Sequence, residues 1–122
     1  MWHYALFKIV LTAHSFGMRA VDSPYGNFSD KSGFLSCARS SYSMGFDGKM
    51  VIHPSQIDLA NEIYSPSDEE IKEAKQILSQ MQIAKKKGKG AIAINGKLLD
   101  IVSIKQAKNL VDMEKKIKKV KT

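Results

Sequence analysis

The chain is short of cysteine, arginine and long apolar runs, and each shortage excludes something. One cysteine, Cys37, cannot make an internal disulfide framework or a thiolate zinc cluster. Two arginines, Arg19 and Arg39, leave few of the bidentate base readers that a sequence-specific DNA binder uses. No apolar run approaches the roughly 20 residues of a transmembrane helix. Zinc-ligand spacing, a glycine-rich phosphate loop, a nucleophile-elbow serine and an RNP-like aromatic motif are all missing. At 122 residues the chain is also too short for a closed (β/α)8 barrel, which typically needs about 250.

What is there suits a folded chain: 43% hydrophobic and 25% charged residues exclude a disordered or fibrous one. The net charge of +7 is unevenly spread. Residues 1–84 carry seven basic and nine acidic side chains, whereas residues 85–122 carry twelve lysines against Asp100, Asp112 and Glu114. Such a basic segment attracts nucleic acid or phosphorylated ligands, or simply solvates a helix face. Lys115, Lys116, Lys118, Lys119 and Lys121 fit the solvated face of a terminal helix, and no stacking aromatics are interleaved with them.

Periodicity predicts a helix over 2–17, from Leu6, Ile9, Val10, Ala13 and Phe16, with Gly17 ending it. Short strands are predicted at 18–21 and 49–53, with a helix between them over 33–44 and another opening at Pro54. Residues 67–87 carry the plainest signals. Ser67 and Glu70 make a capping box, and acidic residues crowd the start while lysines crowd the end. A hairpin is expected across 91–99 with a primed turn at Asn95-Gly96, and then a helix after Asp100. Helices alternate with short strands in a β/α style, but the sheet is too narrow to stand alone. The start at Met1, with no targeting segment before the first helix, reads as a chain taken up midway.

Several residues could carry chemistry. Asp22 follows the first strand, where β/α enzymes place ligand-binding groups, although a side chain capping the turn before Pro24 explains it equally. His53 ends the second strand beside Pro54. It could present a ring nitrogen at the same mouth, or bond locally. Lys49 is a cation beside that strand, and Asp100 has the position of a helix N-cap. Cys37, without a neighbouring histidine, reads as inert.

The run Gly45-Phe46-Asp47-Gly48-Lys49-Met50-Val51-Ile52-His53-Pro54-Ser55-Gln56, with Asn61 and Tyr64-Ser65-Pro66 after it, resembles a signature of the citrate lyase beta-subunit family, in the HpcH/HpaI aldolase superfamily. Arg19-Ala20-Val21-Asp22, Phe28-Ser29-Asp30, Gly33, Gly90-Ala91, Asn95-Gly96-Lys97-Leu98-Leu99-Asp100 and Gln106-Ala107 agree in the same order. The ending Ser103-Ile104-Lys105-Gln106-Ala107-Lys108-Asn109 is most similar to the eukaryotic mitochondrial citrate-lyase-beta-like members.

The resemblance implies an α/β fold: a C-terminal fragment of a modified (β/α)8 TIM barrel plus its helical extension. Residues 1–66 would be the last two β/α units and residues 67–122 the extension. It implies an Mg2+-dependent acyl-CoA carbon–carbon lyase of the citramalyl-, malyl- or citryl-CoA type, forming a homotrimer in the mitochondrial matrix. By the same resemblance Asp100 is a catalytic acid/base group reaching a neighbouring subunit, and Asp22, Lys49, His53 and Pro54 are substrate- or CoA-binding. The family's magnesium ligands and a substrate-binding arginine lie on earlier strands, so no metal ligand is expected here and the chain alone is expected to be inactive. Where the family usually has proline two residues after the aspartate, this chain has Val102, which would loosen the first helical turn. The alternative is a non-catalytic CoA-binding or subunit-assembly module. Neither nucleic acid nor membrane is an expected partner.

Overall fold

The computed structural model describes residues 2–88, 92–94 and 96–120. Gly90, Ala91, Asn95 and Lys121 lie outside the described residues. The fold is mixed α/β, dominated by helices, with small open sheets, as in part of a TIM barrel. The chain divides into two compact units, Met1–Ser65 and Pro66–Thr122.

In the first unit, helix α1 (Trp2–Ser15) leads through Gly17, whose φ of +69° suits glycine, to strand β1 (Val21–Asp22). Helix α2 (Lys31–Ser43) starts at Asp30, whose carboxylate accepts from Gly33 N. Strand β2 (Gly48–Lys49) pairs parallel with β1, Val21 opposite Gly48 and Asp22 opposite Lys49. A 3-10 turn (Pro54–Gln56) with proline at its start then feeds helix α3 (Ile57–Tyr64).

The strands are shorter than their sequence suggests. Of the predicted 49–53 only Lys49 is paired, and Met50 N adds one bond to Asp22 O at 2.9 Å. Met50, Val51 and Ile52 have strand-like side chains, but a two-stranded ladder gives them no partner and they are exposed. The same holds for α1. Val10 is buried with Ala20 and Phe46, whereas Ile9 and Phe16, which share its helical spacing in the sequence, are 55% and 77% exposed.

In the second unit, helix α4 (Asp68–Lys86) carries the expected capping box. Ser67 N donates to Glu70 Oε2 at 2.7 Å, and Glu70 N donates to Ser67 Oγ at 3.2 Å. Strands β3 (Ile92–Ile94) and β4 (Lys97–Leu99) pair antiparallel, and helix α5 (Ile101–Val120) follows. Ile71, Ala74, Met81 and Ala84 of α4 are buried, as are Leu99 of β4 and Ala107 of α5. Ala74 and Ala107 carry no bulk beyond Cβ, which lets the α4 and α5 backbones approach. Glu114 ties the helices at the surface through Lys75 at 2.8 Å, and pairs along α5 with Lys118 at 2.6 Å.

Candidate functional site

Because β1 and β2 run parallel, their C-terminal ends open on the same side of the sheet, and the loops that follow them form a mouth. Four of the five candidate residues belong to this region. Asp100 belongs to the second unit.

Asp22 and Lys49 come together directly. Lys49 Nζ donates to Asp22 Oδ2 at 2.7 Å and to the Ser23 carbonyl at 2.8 Å. Their side chains are only 8% and 1% exposed, so this is a buried ion pair. Burial by itself would push the Asp22 carboxyl up; the hydrogen bonds from Lys49, Ser41 and Ser23 N–H outweigh it and hold Asp22 below the usual aspartate value. Burial likewise disfavours the Lys49 ammonium, but the Asp22 hydrogen bond and charge outweigh it and raise Lys49. A charged, enclosed amine is a poor nucleophile, so the arrangement does not suit Schiff-base chemistry at Lys49.

The pair continues into a buried polar chain. Tyr64 donates from its hydroxyl to Ser41 Oγ at 2.8 Å, and Ser41 in turn bonds Asp22. Ser41 is 1% exposed. Burial raises the Tyr64 hydroxyl, which keeps it a donor across the physiological range. None of Ser41, Tyr64 or Gln56 was a site candidate from sequence. For Tyr64 and Ser41 the available signal was helical spacing, since each faces inward from its helix.

Gln56 is the latch of the mouth. Its side chain accepts from Ile52 N at 2.9 Å and donates to the Tyr25 carbonyl at 3.0 Å, which ties the loop after β2 to the loop after β1. It is 1% exposed. Asp47 makes a second tie below the strands. It accepts from Ala20 N at 2.8 Å and bonds His14 Nε2 at 2.9 Å.

His53 sits at the exposed rim. Nδ1 lies 2.9 Å from Ser55 Oγ and accepts from Ser55 N at 3.2 Å, and the ring stacks on Phe28 at 4.5 Å and 13°. Pro54 opens the 3-10 turn beside it. Asp100 is exposed and caps α5. Its Oδ1 accepts from Ser103 N at 2.8 Å and Ser103 Oγ at 2.9 Å, and these bonds, the backbone one first, hold the carboxyl below the usual range. Among the described residues no three His, Cys, Asp or Glu side chains converge as metal ligands. Asp22, the carboxylate at the strand end, is committed to Lys49. The described residues do not fit a magnesium site.

No protein-family profile matches the chain. Individual proteins do. L-malyl-CoA/beta-methylmalyl-CoA lyase of Cereibacter sphaeroides is 47% identical over 110 residues, 90% of this chain and 35% of that protein. The chain is homologous to the HpcH/HpaI citrate/malyl-CoA lyases. Within these lyases, mitochondrial citramalyl-CoA lyase of Rattus norvegicus is 40% identical over 115 residues, 94% of this chain and 34% of that protein. CitE of Mycobacterium tuberculosis, solved with magnesium, acetoacetate and coenzyme A, superposes with a TM-score of 0.71 at 30% identity, covering 90% of this chain and 40% of that one. A citrate lyase of Burkholderia xenovorans shares the fold, with a TM-score of 0.76 at 21% identity over 93% of this chain and 35% of that one. The chain spans about a third of the length of the lyases it matches by sequence.

Proposed function

We propose that these residues form part of an Mg2+-dependent acyl-CoA carbon–carbon lyase of the malyl-CoA or citramalyl-CoA type. On this reading residues 1–66 supply two β/α units and residues 67–122 a C-terminal extension. The observation that carries it is the 47% identity to an L-malyl-CoA/beta-methylmalyl-CoA lyase across 90% of the chain. The reaction would cleave a 3-hydroxyacyl-CoA into a 2-ketoacid and acetyl-CoA. The bond between the hydroxyl-bearing carbon and the carbon α to the thioester breaks. The hydroxyl loses its proton to become the ketoacid carbonyl, and the α-carbon gains a proton to become the methyl group of acetyl-CoA.

In this reading the mouth after β1 and β2 receives the CoA thioester, with His53 and Pro54 at its rim. Asp22 and Lys49 support it from within, their charges already satisfied by each other. Asp100 acts across a subunit interface of a homotrimer. Held ionised by Ser103, it is suited to accept a proton before it returns one. Similarity to the rat and mouse mitochondrial enzymes supports a mitochondrial location.

The test is a pair of measurements on the purified chain. Coenzyme A should bind saturably, while malyl-CoA and citramalyl-CoA should release no acetyl-CoA even with added Mg2+. Turnover by the 122 residues alone would overturn the reading that they are only part of the catalytic unit. Failure to bind coenzyme A would remove the mouth as a thioester site.

A further inference from the structure

We propose that His53 is held as a fixed hydrogen-bond donor at the rim of the mouth, presenting Nε2–H to an anionic oxygen of the ligand, with Phe28 and Ser55 as its positioning residues. This rests on the acyl-CoA reading above and adds to it the donor atom, the tautomer and the ligand group.

The tautomer follows from the backbone. Ser55 N–H can only donate, and it donates to Nδ1 at 3.2 Å. Nδ1 must therefore be unprotonated, and the neutral ring carries its hydrogen on Nε2. Ser55 Oγ, 2.9 Å from the same nitrogen, serves as a second donor there. Nε2 makes no hydrogen bond among the described residues.

The ring plane is fixed as well. Phe28 lies against it with centroids 4.5 Å apart and planes within 13°, which covers one face and leaves the Nε2 edge open. Phe28 is itself 49% exposed, so the stack sits at the surface and not in a core. Phe28 and His53 come from different loops, six residues after β1 and four after β2. The Gln56 latch, bonding Ile52 N and the Tyr25 carbonyl, joins those two loops beneath the stack. An imidazole oriented by two donors, a stacked ring and a buried latch is more constrained than a turn cap needs to be. What it offers is one directed N–H without an acceptor, which suits a phosphate or carboxylate oxygen. A malyl- or citramalyl-CoA carries both, phosphates in its nucleotide portion and a free carboxylate in its acyl group.

The two sources separate by probe. Coenzyme A has phosphates and no carboxylate; malate has carboxylates and no phosphate. Long-range 1H–15N spectra of the labelled 122-residue chain report both ring nitrogens. In the free chain Nδ1 should be unprotonated and Nε2 protonated. Addition of coenzyme A or malate should shift the His53 Nε2–H resonance, and the probe that does so identifies the oxygen. His53→Asn keeps an acceptor for Ser55 N but has no Nε2. It should weaken that probe's binding about 10-fold with circular dichroism unchanged, the ordinary scale for a hydrogen bond to a charged group. Phe28→Leu should broaden the ring signals and weaken binding less.

A free ring protonated on Nδ1 overturns the proposal. So does coenzyme A binding that is equal in His53→Asn when neither coenzyme A nor malate moves Nε2, a result under which the acyl-CoA reading survives. A wild-type chain that binds neither probe overturns both.

Discussion

Asp22 and Lys49 illustrate how much depends on a partner. Each charge is buried, and each is tolerable because the other is 2.7 Å away. Asp22→Asn leaves a buried ammonium without its counter-charge and should destabilise the first unit by about 3–5 kcal/mol. Replacing both, Asp22→Leu with Lys49→Met, should recover most of that loss, as denaturant titration of the three variants would reveal. The pair also sets an acid limit. The Asp22 carboxyl is depressed in the folded state, so its stabilisation is complete above the ordinary aspartate value of 3.8 and is lost as pH falls below it. Lys49 is raised, so its share is complete below the ordinary lysine value of 10.5 and fades only above it. Thermal unfolding should therefore stay level through neutral pH and drop in acid, with a shallower drop in the double variant. Sequence position placed Asp22 and Lys49 beside adjacent strand ends, but it could not decide whether they faced a ligand or each other. That depends on parallel register, a property of two distant segments.

Elements with local signals were legible; those defined by distant neighbours were not. The α4 capping box needs only Ser67 and Glu70, three residues apart, and it formed as read. Asp100 capping α5 is a signal of the same kind. The segment 49–53 read as a strand because Met50, Val51 and Ile52 prefer extended backbone, yet without a further strand beside it pairing stopped at Lys49. The latching role of Gln56 was not legible for a related reason: its two partners, Ile52 N and the Tyr25 carbonyl, are main-chain groups that no composition rule marks. Gly45 offers a check on the α2–β2 connection. Its φ is +98°, and a Cβ there would lie 3.1 Å from Val10 Cγ1. Gly45→Ala should cost more than about 1 kcal/mol, because strain and crowding add, and chemical denaturation should register it as a lower midpoint at unchanged slope.

At the scale of the molecule, the first unit leaves much apolar surface in water. Trp2, Tyr4, Phe7, Leu11 and Phe16 of α1 and its end are each more than half exposed, as are Met18 and Val21 near β1 and Met50 and Ile52 after β2. Apolar exposure on this scale marks an interaction surface or an aggregation hazard. The isolated chain should bind a hydrophobic dye and associate as its concentration rises, and Phe7→Glu with Phe16→Glu should reduce both; light scattering across a dilution series reads the change. The sequence anticipated this surface in outline, since two short strands could not cover the helices around them. Which residues stayed exposed depended on which side of α1 met Phe46 and Ala20.

The central claim is that these residues do the work of the homologous segment in an acyl-CoA lyase. It is tested most directly by exchanging that segment. The L-malyl-CoA/beta-methylmalyl-CoA lyase of Cereibacter sphaeroides, with its 110 matched residues replaced by those of this chain, would be assayed for acetyl-CoA release from malyl-CoA. The account predicts a chimera that cleaves malyl-CoA and loses at least about 100-fold in rate on Asp100→Asn, the lower range for removing a general acid–base group. A chimera that folds and binds coenzyme A but releases no acetyl-CoA, or one indifferent to Asp100→Asn, would contradict it.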